Sequence, residues 1–125
     1  MRKVLFVLLP LLIIMSCKKH EDVQEIMFLG VWNTNSLLID GEEQVVGNGE
    51  SIIYTFAADS TGTVMYTYQD EDSYKEEFTW IFEEDSNTLF LTQFEVFVSP
   101  MEIRTLTQQN MILDNNGNIY TMSRK

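Results

Sequence analysis

From residue 30 onward apolar and polar residues alternate in short runs separated by turn signals, the period-two pattern of half-buried strands, and no long helical period appears. The stretch Phe28-Leu-Gly-Val-Trp32 marks where this pattern begins. A first strand is expected over residues 30–39, rich in Thr, Asn, Val and Leu, and Asp40-Gly41 ends it with a pair suited to positive φ. Residues 41–50 are polar and glycine-bearing, with Val45-Val46 their only apolar pair, and their length predicts a flap over one end of the sheet.

Residues 51–57 and 63–68 flank Asp59-Ser-Thr-Gly62. A type I turn with Gly62 at the left-handed bulge position would set Phe56 opposite Tyr66 and Tyr54 opposite Tyr68, both pairs on the core side. After the acidic turn 69–73, a strand over 74–82 carries Phe78, Trp80 and Phe82 on one face and Glu77 and Thr79 on the other. Residues 88–92 and 94–98 follow the turn 83–87, either as one long strand or as two with a break near Gln93. Pro100 has no N–H to give a ladder, so Ser99-Pro100 reads as a tight reversal into residues 101–107. Equal counts from that reversal put Glu95 opposite Arg104 and set Val96 beside Ile103 on the core face. Asn116-Gly117 is the strongest hairpin signal, and a two-residue type I′ turn there sets Leu113 opposite Tyr120 and Met111 opposite Met122. With a last strand over 118–123, about eight strands result, at the spacing of an up-and-down barrel or a sandwich.

The first residues follow another pattern. Met1-Arg-Lys3 is positive, residues 4–15 are almost continuously apolar, and the run stops at Ser16-Cys17. It is shorter than the roughly 20 residues of a spanning helix and has the length of a signal-peptide core, about 7–15. Ile14-Met15-Ser16-Cys17 resembles the lipobox of bacterial lipoproteins. That resemblance implies removal of residues 1–16 as a signal peptide, lipidation of Cys17 as the new first residue, and a tether over 17–27 holding the domain 28–125 to the cell envelope by acyl chains, in the outer membrane, with the leaflet left open. The competing reading is a secreted protein with a free thiol; with one cysteine no disulfide can form within the chain.

Charge narrows the partners. The chain carries 8 Lys+Arg against 19 Asp+Glu, a formal charge of −11, and losing Arg2 and Lys3 with the leader would take it to −13. Duplex binding draws on Lys and Arg neutralising phosphates, so nucleic acid is excluded as a partner. His20 is the only histidine and has no second imidazole or thiolate beside it, which argues against a metal site.

Gly30-Val-Trp32, the Phe56…Asp59-x-x-Gly62 hairpin, Phe78-x-Trp80, Asn87-x-Leu89-x-Leu91 and the closing Tyr120-Thr-Met-Ser-Arg124 resemble the lipocalin-like lipoproteins of Bacteroidota, along nearly the whole domain. The resemblance implies an all-β fold, a small antiparallel up-and-down β-barrel, and binding of small hydrophobic molecules. It also implies that Trp32, with Gly30, plugs one end of the barrel beneath Arg124 from the last strand. At about a hundred residues after the tether the domain is short for a lipocalin, and shorter strands leave room for side chains only.

No nucleophile elbow, phosphate-cradling loop, paired-cysteine metal pattern or His-containing triad can be assembled, so no enzyme activity and no cofactor are expected. Asp114-Asn-Asn-Gly-Asn118 lacks the Glu that would complete a calcium loop and reads as a hairpin turn. The aromatic stripe Tyr54, Phe56, Tyr66, Tyr68, Phe78, Trp80 and Phe82 is the candidate ligand lining, because buried tyrosine hydroxyls want partners. Two function classes stay open: a membrane-anchored binder of a small hydrophobic or amphipathic molecule, and a filled barrel whose surface binds a protein or glycan. A cavity, if present, is expected to open at the flap 41–50, opposite Trp32, and to favour a neutral or cationic ligand.

Overall fold

A computed structural model describes residues 27–69 and 71–125. The leader, Cys17, His20 and the tether up to residue 26 lie outside them. Nine strands follow: β1 (Gly30–Ile39), β2 (Glu42–Val45), β3 (Ser51–Phe56), β4 (Thr61–Thr67), β5 (Tyr74–Glu83), β6 (Thr88–Gln93), β7 (Phe97–Leu106), β8 (Asn110–Asn115) and β9 (Asn118–Arg124).

All pairings are antiparallel, neighbours from β3 to β9 follow chain order, and β1 closes the sheet by pairing with β9. Because β9 occupies one edge of β1 along most of its length, β2 and β3 must share the other: Ser36–Ile39 pair with β2 and Gly30–Asn33 with β3. The barrel is therefore eight-stranded, with β2 and β3 together filling one position. Part of the stretch expected as a flap is this short strand β2, since Leu37 and Leu38 offer Gln44 and Glu43 a free edge.

Side chains alternate inward and outward along each strand. Trp32, Tyr54, Phe56, Val64, Phe78, Trp80, Leu89, Leu91, Met101, Ile103, Met111, Leu113 and Met122 form the buried interior. Bulges between Thr34 and Ser36 in β1 and between Ile103 and Thr105 in β7 reset the alternation. They let Leu37 face inward beyond Thr34, and Leu106 beyond Ile103.

Three expectations are corrected. The β3–β4 hairpin turns two residues earlier than expected: Ser60 takes the positive φ (69°) in place of Gly62, Asp59 accepts hydrogen bonds from the Thr61 N–H and hydroxyl, and the register is Phe56 to Gly62, Tyr54 to Val64, Ile52 to Tyr66. Gly62 lies inside β4 rather than at a left-handed bulge. The register moves by four residues, an even number, so the inward face is unchanged.

Pro100 makes no reversal. It sits within β7 opposite Phe90, and the chain turns at residues 94–96, where Phe94 and Glu95 both have positive φ (54° and 62°). Pro100 is tolerated because β8 pairs with β7 only from Glu102 onward. Ile103 N–H points to β6, at Asn87 O, so by alternation the Pro100 nitrogen faces the side with no neighbouring strand.

Arg104 therefore cannot meet Glu95, and Val96, 71% exposed, is not a core partner of Ile103. Instead Arg104 Nε and Nη2 donate to Asp114 Oδ2 at 3.0 and 2.8 Å on the outer face, with Glu102 at 3.7 Å. The β8–β9 hairpin has the expected register, Leu113 to Tyr120 and Met111 to Met122, with Asn116 and Gly117 at positive φ and Asp114 accepting the Gly117 N–H at 2.8 Å.

Candidate functional site

Antiparallel connections alternate between the two ends of the barrel. The chain's approach at residues 27–30, the turns 57–60, 84–87 and 107–109, and Arg124 lie at one end; the β1–β2 turn and the turns 68–73, 94–96 and 116–117 lie at the other.

At the first end the interior is filled, and a shallow, open depression of about 550 Å³ lies outside it over Met27, Leu29 and Arg124. Trp32 is fully buried and its Nε1 donates to Phe28 O at 2.8 Å. The Arg124 guanidinium lies 4.2 Å from the indole centroid and donates from Nε to Gln108 O at 2.7 Å, from Nη1 to Leu29 O at 2.8 Å, and from Nη2 to Met27 O. Gly30 leaves room for this fork: its φ is +115°, and a Cβ there would stand 2.8 Å from Arg124 Nη1. Phe28, read beforehand only as the lead into β1, is buried against three inward rings, edge-on to Phe56 and Trp80 (centroids 5.9 and 5.0 Å) and tilted to Phe82 (5.4 Å). Trp80 Nε1 is shared between Ala57 O and Thr61 O, each at 3.0 Å. Phe56, Trp80 and Phe82 thus pack around Phe28 at the closed end.

The other end is polar and partly hollow, and all five tyrosines of the chain gather there. Tyr54, Tyr66 and Tyr120, with Phe78, Gln93 and Asn115, line a chamber of about 150 Å³. Beside it the wall is incomplete, because β2 pairs with β1 and not with β4. That gap is a lateral opening of about 310 Å³, walled by Leu37, Val45, Val46, Ile52, Tyr66 and Tyr68. Tyr66 belongs to both spaces, and its ring stacks on Tyr68 (6.4 Å, 5°) and Tyr74 (6.1 Å, 28°).

Burial pushes the Tyr54 phenol well above its ordinary value, with the neighbouring Tyr66 adding to it. Tyr66 is raised by burial and then by the Glu76 charge, and Tyr120 by burial. Glu76 shares the inward parity of Tyr74, Phe78 and Trp80, and its half-buried carboxylate accepts the Gln93 amide at 2.6 Å. The charge of Glu76 raises Tyr74.

Of the sequence-predicted lining, Tyr54, Tyr66 and Phe78 line the chamber and Tyr68 lines the opening. The sequence reading missed Gln93 and Tyr120 in the chamber wall, and Tyr74 and Glu76 beside it, Tyr74 stacked on Tyr66 and Glu76 bonded to Gln93. Strand parity carried the signal for Glu76, since a strand with Phe78 and Trp80 inward must also turn Glu76 inward. Among the described residues no group of three or more His, Cys, Asp or Glu is placed to hold a metal, and no catalytic constellation is assembled.

The profile of the lipocalin-like domain family matches residues 28–113. Two solved structures share the fold. One is a lipocalin-like protein from Bacteroides uniformis, 12% identical with a TM-score of 0.66, covering 78% of this chain and 97% of the other. The second is an uncharacterized protein from Bacteroides eggerthii, 13% identical with a TM-score of 0.66, covering 78% and 99%. None of the curated proteins compared with the chain matches it. With the profile covering most of the closed barrel, this chain belongs to the lipocalin-like domain family.

Proposed function

We propose that the protein is an envelope-anchored, non-catalytic binder of a small amphipathic molecule, taken at the barrel end opposite Trp32. The observation that carries this reading is the division of the interior: one end is packed solid with aromatic rings, and the other gathers all five tyrosines, three of them in the wall of a chamber that shares Tyr66 with a lateral opening. A chamber of about 150 Å³ has the size that admits a single benzene-like ring and is smaller than the roughly 300–1,000 Å³ of ordinary ligand pockets. One end of the ligand therefore enters, and the remainder lies along Leu37, Val46 and Ile52 in the opening. Tyrosine hydroxyls within an apolar lining suit a polar end group better than a pure hydrocarbon.

An environment-sensitive apolar dye should bind the purified protein saturably and be displaced by lipids, sterols or quinones. Ser99→Trp, which fills the chamber from its wall, should abolish that binding while the barrel stays folded by circular dichroism. Anchoring rests on the leader ending at Ser16-Cys17. Cys17→Ser should stop processing after Ser16 and move the protein out of the membrane fraction; unchanged processing and partitioning would remove the anchor.

A specific observation favours the alternative of surface interaction. Phe94, Val96, Phe97 and Val98 at the β6–β7 tip are 55–74% exposed, with Ile81 on the outer face of β5 at 69%, an apolar patch of the kind that marks contact sites. Dye binding that survives Ser99→Trp but is lost in a Phe94→Ser, Phe97→Ser double variant would assign the activity to this patch.

A further inference from the structure

We infer that the molecule taken at the mouth carries an organic cation, an ammonium group seated between the Glu76 carboxylate and the tyrosine faces around it. This rests on the proposed function above and names the chemistry of its ligand. Glu76 is the feature that the rest of the barrel leaves unexplained. Its carboxylate turns inward from β5 toward the mouth, held by the Gln93 amide at 2.6 Å, with Tyr74 close enough to feel its charge. Among the described residues the ion pairs are those of Arg104 with Glu102 and Asp114, both on the outer face. Lys75 is exposed on the outward parity of β5, and Arg124 is engaged at the closed end. Glu76 thus has one neutral donor and no cationic partner there, and a carboxylate drawn partly out of water is stabilised by a counter-charge.

The surroundings fit a cation on a small molecule. Tyr66, Tyr68 and Tyr74 stack in a row at the mouth, and Tyr54 and Tyr120 stand in the chamber wall. Aromatic faces attract ammonium groups through the ring quadrupole, and cages of such faces beside a carboxylate recognise quaternary ammonium. A trimethylammonium group is of the same order of size as the ring that about 150 Å³ admits. The overall charge of −11 draws cations toward the surface, and an anionic end group would meet Glu76 with no described cation to receive it.

Three probes with one tail separate charge from hydrophobicity: octyltrimethylammonium, octyl glucoside and octanoate, titrated into the full protein below their micelle concentrations by calorimetry. The ammonium probe should bind about tenfold or more tightly than the glucoside, and octanoate more weakly than either. Glu76→Gln, which keeps the shape of the side chain, should lower ammonium affinity about tenfold and leave glucoside affinity unchanged. Glu77→Gln removes the same charge from the outer face and should leave the ratio as it was. Equal loss in both variants would assign the preference to general surface charge and overturn the inference, as would a ratio near one in the unaltered protein. In either case, saturable glucoside binding would leave the proposed function standing. Absence of saturable binding by all three probes would overturn both.

Discussion

Trp32→Ala should lower the free energy of unfolding by about 3–5 kcal/mol, the range for deleting a large aromatic from a packed core. Trp32 is fully buried, its indole N–H is bonded to Phe28 O, and Arg124 covers its face at 4.2 Å. Most of the loss is volume, and the guanidinium over the ring accounts for about 0.5–2 kcal/mol. Arg124→Met keeps an apolar stem while removing both the cation and the donors to the carbonyls of Met27, Leu29 and Gln108. It should therefore be destabilising even with Trp32 in place. Urea unfolding measures both variants. A loss below about 1 kcal/mol for Trp32→Ala would mean that the closed end is not the stabilising half of the barrel.

Gly62→Ala should cost about 1–3 kcal/mol, the range for overpacking a core, although one methyl group is all that is added. Gly62 pairs with Phe78 across β4 and β5, and the Phe78 ring lies over it. A Cβ at this position would run into the ring and stand 2.6 Å from Thr55 O, which is backbone and cannot step aside without moving β3. The same arrangement explains why Gly62 belongs in the strand: it is the floor on which an aromatic side chain lies. Combining Gly62→Ala with Phe78→Leu should show a coupling of about 0.5–3 kcal/mol, because the smaller side chain relieves part of the clash. Strict additivity of the two changes would contradict the contact.

Period-two alternation made the architecture legible in the sequence, and parity survived even where the register did not. In the β3–β4 hairpin the pairing differs by four residues, yet Tyr54, Phe56, Val64 and Tyr66 still share the inner face. Asn116-Gly117 was readable because its residues fit positive φ at small cost. The β6–β7 turn was readable only as one of two alternatives, a break near Gln93, because Phe94 and Glu95 take positive φ without belonging to the residue types that favour it. Pro100 misled because the rule against proline in strands applies to strands paired on both sides, and β7 runs past the end of β8 there.

The closed end of the site was readable from Trp32 and Arg124. Phe28 was not, since it precedes the first strand and only the folded barrel brings its ring against Phe56, Trp80 and Phe82. At the mouth, Glu76 was passed over because a charge in a strand is ordinarily assigned to solvent. Tyr120 was visible as an inward residue, but only the β8–β9 and β9–β1 pairings carry it to the chamber.

Binding through the tyrosine-lined end can be followed by NMR of the protein with ring-labelled tyrosine and indole-labelled tryptophan, titrated with octyl glucoside, a probe whose neutrality makes the result independent of Glu76. Saturable shifts are expected in the rings of Tyr54, Tyr66, Tyr68, Tyr74 and Tyr120, while the indole N–H signals of Trp32 and Trp80 at the closed end stay in place. Unmoved tyrosines at saturating probe, or shifts confined to either indole, would show that the tyrosine-lined end is not the binding site.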